Sequence, residues 1–276
     1  MVQALQAILL GITQGITEFA PISSTAHLTL LPWLLGWTDP VLNSLTFDVA
    51  LHMGTLIATL AYFARDWASI VSAGVASIVQ RRVGDDPSRR LAWLLVAGTV
   101  PGAIAGATLE HQAETAFRAP LLIAGALAVW GIILAVAERA GSQHRTMQDI
   151  GWGTALAIGI GQALAIIPGV SRSGGTMTAA MLLGVQRGTA ARFSFLLATP
   201  IMAGAGLKKA AEMLKLGDGE AGAAPALAAG FISSAVVGYL CIAFLMRYLQ
   251  RGNLYVFAIY RVALALVVAA VAVTRG

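Results

Sequence analysis

Residues 14–27 read Gln14-Gly15-Ile16-Thr17-Glu18-Phe19-Ala20-Pro21-Ile22-Ser23-Ser24-Thr25-Ala26-His27. An amide, a carboxylate, a run of hydroxyls and an imidazole stand here within an otherwise apolar segment. Gln14 and Glu18 are four apart, so a helix presents both on one face. Pro21 breaks that helix, and Ser23, Ser24 and Thr25 open the next apolar run. The reading is two short helical arms, about 4–19 and 23–36, joined at a polar tip. Half-length helices are tolerated at membrane depth only where they are buried in protein or line a wet cavity. A re-entrant helical hairpin meets that condition.

Composition supports a membrane setting. The chain is 58% hydrophobic and 11% charged, whereas soluble domains carry about 25% charged residues. Several apolar runs approach or exceed the roughly 18 residues of a membrane span. They do not alternate as barrel strands do. The fold class is therefore an all-α polytopic membrane protein. The N-terminus has no basic n-region and no convincing cleavage site, so it reads as mature protein. With Cys241 as the single cysteine, an intramolecular disulfide is excluded and a Cys-based metal site is not expected. The net charge of +5 is spread over loops and reads as membrane topology, with no nucleic-acid partner.

Working outward, spans are expected at about 46–64, 91–109 and 120–138, with a solvated Arg65–Arg90 loop and an interfacial segment near Trp67–Val79. A short loop is expected at Glu110–Arg118, a Gly- and Ala-rich loop of mixed charge at Ala210–Ala224, and a linker at 139–150. Residues 151–185 form a second interrupted hairpin with its polar tip at Pro168–Gly175, followed by spans at about 189–209, 225–247 and 253–274. Sliding the chain by 148 residues lays Gln14 on Gln162, Ile22 on Val170, Ser23 on Ser171, Thr25 on Ser173 and Phe47 on Phe195. The chain thus reads as a single domain of two repeats, about 1–138 and 151–276, each a re-entrant hairpin followed by three spans. An odd number of spans per repeat makes the second copy inverted, an architecture that places broken helices around a site near the bilayer midplane. With the N-terminus outside, inner loops hold eleven basic residues and outer segments five. The positive-inside rule then puts both termini on the outer face.

The two tips are expected to meet inside the membrane around a phosphorylated lipid. Glu18 is functional by default at that depth, as a metal ligand or general acid/base; the plainer alternative is a protonated acid bonded between helices. With the Gln14 carbonyl it suits a hard divalent cation, Mg²⁺ or Ca²⁺, that completes its shell from water and phosphate. Ser23, Ser24 and Thr25 fit N-capping, and also an anion site at a helix start. His27 lies three residues after Ser24. Ser24 could attack with His27 as base, or His27 could activate water while Ser24 positions the phosphate. In Pro168-Gly-Val-Ser171-Arg172-Ser173-Gly174, the Arg172 fork matches phosphate oxygens, with Ser171, Ser173 and Gly174 around it. The alternative for Arg172 is an ion pair with Glu18 and no ligand. Asp48, His52 and Arg261 are weaker candidates for the cavity wall, and His111 and His144 receive no role. The glycines of 98–106 and 151–161 read as close helix-packing faces and suggest self-association into a homodimer.

Gln14-xxx-Glu18, Pro21-Ile-Ser-Ser-Thr-Ala-His27 and Pro168-Gly-Val-Ser-Arg-Ser-Gly174 together resemble the undecaprenyl-diphosphatase family, bacterial membrane proteins tied to bacitracin resistance. Phe47-Asp48-Val-Ala-Leu-His-Met-Gly54, Phe193-Ser-Phe-Leu-Leu-Ala198 and Phe257-Ala-Ile-Tyr-Arg261 extend the resemblance over nearly the whole chain. The resemblance implies metal-dependent removal of the terminal phosphate from undecaprenyl diphosphate, at the periplasmic side of the bacterial inner membrane. It implies Glu18 at the metal, Ser24 and His27 at the reacting centre, and Arg172 on the diphosphate. The family writes Glu or Gln at its first motif position, so Gln14 is permitted but carries one negative charge fewer. A transporter of polyprenyl phosphate and a non-catalytic lipid-binding scaffold are the competing readings.

Overall fold

A computed structural model describes residues 2–114, 119–216 and 223–275. The described residues form helices α1 (Val2–Thr17), α2 (Ser24–Leu35), α3 (Leu45–Tyr62), α4 (Ala64–Val79), α5 (Pro87–Glu114), α6 (Pro120–Ala140), α7 (Trp152–Leu164), α8 (Arg172–Leu182), α9 (Arg187–Leu216), α10 (Ala224–Tyr248) and α11 (Tyr255–Arg275). A single 3₁₀ turn (Met147–Asp149) and an isolated bridge between Arg145 and Val185 complete the linker. Six of these helices (α3, α5, α6, α9, α10 and α11) are long and apolar enough to cross a bilayer. The arms α1, α2, α7 and α8 run to 16 residues at most. At a rise of about 1.5 Å per residue, none reaches the ~30 Å of a hydrocarbon core.

Two expected loops are shorter than their sequence suggested. Helix α5 continues to Glu114 and α9 to Leu216, because Glu, Gln and Ala in the first and Ala, Leu and Lys in the second keep helical propensity after hydropathy has fallen. Residues 115–118 and 217–222 of those loops, including Arg118 from the charge count, lie outside the described residues. So do the side chains of His111, Lys209 and Lys215. The segment expected along the interface is helix α4.

Solvation is inverted relative to a soluble domain. Ile132, Val136, Leu240, Phe244, Ile259 and Leu266 are each more than half exposed, while Gln14, Glu18, Ser171, Ser234 and Arg261 are buried. Contiguous exposed apolar faces on this scale belong against lipid. The chain is an all-α polytopic membrane protein.

Some helix contacts of the two halves correspond. Helix α1 packs on α10 as α7 packs on α5, and α3 touches α10 as α9 touches α5. Pairs α3·α9 and α6·α11 join the halves directly. Close approach depends on glycine: a Cβ on Gly161 would lie 2.6 Å from the Gly175 carbonyl, and one on Gly15 would lie 2.7 Å from the Gly238 nitrogen. The glycine faces around 98 and 159 meet each other, within the chain.

Candidate active site

Both hairpin tips are built the same way. Pro21 ends the first arm, and Ser23 then caps α2 with a positive φ of 76° while its hydroxyl accepts from Ala26 N at 3.4 Å. Ser171 caps α8 with φ 72°, its hydroxyl accepting from Gly174 N at 3.1 Å. A non-glycine residue held at positive φ is strained, and surrounding structure must over-determine it. Here the surroundings are the other tip. Gly169 N donates to Ser23 Oγ at 3.1 Å, and Ser173 Oγ donates to Ala20 O at 3.2 Å.

Arg261 of α11 ties the two tips together. It is fully buried, and its guanidinium donates to Pro21 O at 2.9 Å, Val170 O at 3.0 Å and Gly169 O. A longer contact of 3.4 Å reaches Leu127 O on α6. Sequence left Arg261 undecided between the cavity wall and a structural pairing. Its place is behind the tips, satisfying carbonyls that no helix ladder reaches.

Glu18 is the hub of the polar cluster. Its Oε2 accepts from Ser24 Oγ at 2.6 Å and from Gln14 Nε2 at 3.0 Å, with His52 Nε2 at 3.6 Å. Its Oε1 is ion-paired with Arg172 of the opposite tip. The acid and the guanidinium are therefore in contact, with Glu18 buried behind the cavity wall. Ser23, Ser24, Thr25, Ser171 and Arg172 line a cavity of ≈ 320 Å³, together with Asp48 and His52. Ser173 and Gly174 are buried behind this wall, their polar groups used on Ser171 and Ala20.

The pairing of Ser24 with His27 is not formed. His27 Nδ1 lies 2.7 Å from Ser23 O, and its Nε2 lies 2.8 Å from Tyr260 OH, with the two rings stacked at 5.7 Å. Three residues apart on a helix are rotated by about 60°, enough to turn Ser24 to Glu18 and His27 to α11. Glu18 takes the place at Ser24 that spacing alone gave to His27, and His52 stands next to it. Tyr260 escaped the residue-by-residue reading; its signal was its place beside Arg261 in the Phe257–Arg261 motif.

For a divalent cation, the available donors are the Glu18 carboxylate and Gln14 Oε1, which is buried and has no hydrogen-bond partner among the described residues. The described residues hold no group of three or more His, Cys, Asp or Glu side chains set for a metal. An orphaned amide oxygen beside a carboxylate fits a hard cation that takes its remaining ligands from phosphate and water.

Comparison with known proteins agrees with this architecture. Residues 7–267 match the family described as bacitracin resistance protein BacA. The chain is 51% identical to the undecaprenyl-diphosphatase of Desulforudis audaxviator over 271 residues, covering 98% of each chain. It is likewise 51% identical to that of Moorella thermoacetica, covering 97% of each, and 50% identical to that of Geobacter sulfurreducens, covering 93% and 94%. With the match running through both hairpins and all six long helices, the chain belongs to the bacitracin resistance protein BacA family.

Proposed function

We propose that this chain is a membrane phosphatase that hydrolyses undecaprenyl diphosphate to undecaprenyl phosphate and inorganic phosphate, recycling a carrier lipid of cell-wall synthesis. The observation that carries the reading is that Ser24 and Arg172, from two half-length hairpins, line one cavity and both contact the buried Glu18 behind it. The names of the relatives, at about half identity over the full chain, support the substrate.

In this reading the diphosphate enters the cavity while its prenyl tail stays in lipid. Arg172 turns from Glu18 to the phosphate oxygens, which its planar fork fits in bidentate fashion. Ser24 Oγ attacks the terminal phosphorus and its proton passes to Glu18 Oε2, already 2.6 Å away. The new O–P bond forms as the bond to the bridging oxygen breaks, and that electron pair leaves with undecaprenyl phosphate. Water then displaces the phosphoryl group from Ser24. Glu18 returns its proton to Ser24 Oγ, and inorganic phosphate leaves carrying both protons of the water. Phosphoryl transfer needs charge neutralisation and in-line placement above all. Thr25 and the N-terminus of α2 offer further donors to the anion.

Glu18 and the Gln14 carbonyl would hold Mg²⁺ or Ca²⁺. Such a cation neutralises phosphate oxygens and polarises phosphorus. Phosphate release by purified protein is expected to fall in chelator and to return on adding either metal; activity indifferent to chelator would remove the cation from the scheme. Ser24→Ala is expected to lower kcat by about 10²–10³-fold, and His27→Ala by only about tenfold, because His27 acts on Ser23 and Tyr260 and not on the attacking oxygen. Equal losses in the two variants would favour His27 as the base. A protein that binds the diphosphate and never releases phosphate would be a carrier or scaffold.

The corresponding α1·α10 and α5·α7 contacts and the matching Ser23 and Ser171 caps support two inverted repeats. The ion pairs Arg192–Asp66 and Arg187–Glu138, and Arg90 on the Ile150 carbonyl, gather basic residues of the segments read as inner loops at a common end, which supports placing that end inside. With that end in the cytoplasm of a bacterial inner membrane, both termini face outward and the site opens to the periplasmic side. Lipid substrate and bilayer are the partners in this scheme. Of the glycines that suggested a homodimer, Gly98, Gly102, Gly159 and Gly161 pack within the chain, while Gly106 and Gly153 face open space that a second copy would fill.

A further inference from the structure

The last turn of α7 holds a glutamine that the chemistry above does not use. Gln162 is 4% exposed and lines the cavity with Ser171 and Arg172, yet neither of its amide heteroatoms has a hydrogen-bond partner among the described residues. Buried amides are rarely left so, because desolvation without a partner is costly.

Comparison with the other hairpin explains how the amide came to be uncommitted. Gln14, 148 residues earlier, donates to Glu18 four residues further on. Four residues after Gln162 stands Ile166, which has no polar group to offer and itself lines the cavity. The backbone therefore presents the same side chain twice. In the first hairpin it is spent on an acid; in the second it is left facing the cavity. The packing also leaves it room: a Cβ on Gly102 of α5 would lie 3.2 Å from Gln162 Nε2 and 2.5 Å from Ile201 Cδ1.

We infer that Gln162 is a head-group ligand, its side-chain amide donating a hydrogen bond to a phosphate oxygen of the bound prenyl diphosphate beside Arg172. The inference rests on the diphosphate reading above. A cavity lined by a guanidinium and hydroxyls selects an acceptor-rich anion, and an amide adds a donor to it without adding charge. That neutrality suits a site whose product, still a phosphate, has to leave.

Gln162→Leu tests this with farnesyl diphosphate as the probe. The variant keeps the side chain's bulk and removes a buried amide, so the ligand-free protein is expected to melt at the same temperature as wild type or higher. Its KM is expected to rise about tenfold with kcat within about twofold, and its thermal stabilisation by the diphosphate to shrink correspondingly. Unchanged KM and unchanged stabilisation would overturn the inference. So would a lower melting temperature without ligand, which would make the amide part of the core. Wild-type protein that is stabilised by the diphosphate but releases no phosphate would defeat hydrolysis alone, and the comparison of stabilisation would still decide Gln162. Wild-type protein with neither response would defeat both.

Discussion

Arg172→Ala is expected to lower kcat/KM for prenyl diphosphate hydrolysis by about 10³-fold or more, and Glu18→Ala by a similar factor. Each lies at the contact between the two tips, Glu18 at 6% exposure with Ser24 on one oxygen and Arg172 on the other. In the proposed scheme, loss of Arg172 removes the bidentate charge that offsets the transferring phosphoryl group. In the same scheme, loss of Glu18 removes the acceptor for the Ser24 proton and a cation ligand together. Since the two act on one reacting centre, the double variant is expected to be about as inactive as either single one, well short of the product of the two losses. Arg172→Lys keeps the charge but not the fork, and is expected to recover only part of the rate. The measurement is phosphate release by purified protein, with size-exclusion elution and thermal unfolding recorded for each variant. Folded variants that release phosphate at the wild-type rate would remove both residues from the site.

Arg261→Met is expected to destabilise the protein by about 3 kcal/mol or more and to abolish activity as a consequence. Its guanidinium is buried and satisfies the carbonyls of Pro21, Gly169 and Val170 across both tips. Methionine fills similar volume and donates nothing, so those carbonyls would be left orphaned at about 1–3 kcal/mol each where water does not replace the bond. Positive φ at Ser23 and Ser171 is held by the contacts between the tips that Arg261 ties together, so the tips should relax apart. Lysine, with a shorter reach and no fixed fork, should not restore the fold fully. Thermal unfolding in detergent separates this case from Arg172: Arg261→Met should melt well below wild type before any substrate is added. A wild-type melting curve would show that the carbonyls find other partners.

Much of the frame was legible in sequence, for local reasons. Pro21 and the serines after it set a helix end and a helix start, and those rules act over a few residues. The six long helices follow from apolar runs that match bilayer thickness. Gln14 and Glu18 share a face because helical spacing requires it, and they are hydrogen-bonded. That Glu18 and Arg172 meet followed from polar groups at two tips with nowhere else to be satisfied in lipid, and they are paired.

Side-chain direction within the cluster was settled by tertiary packing. Ser24 and His27 lie within one turn, yet one faces Glu18 and the other Tyr260, 233 residues away. Nothing local to His27 encodes the approach of α11. The same holds for Arg261, whose acceptors come from segments 91 to 240 residues distant, and for Gln162, which differs from Gln14 through what stands opposite it. Sequence determined which polar groups stand within the apolar chain and at which helix ends. Only the folded chain decided which of them are spent on one another and which face the cavity, because hydrogen bonds are directional and short-ranged while spacing along a helix fixes a face and not a partner.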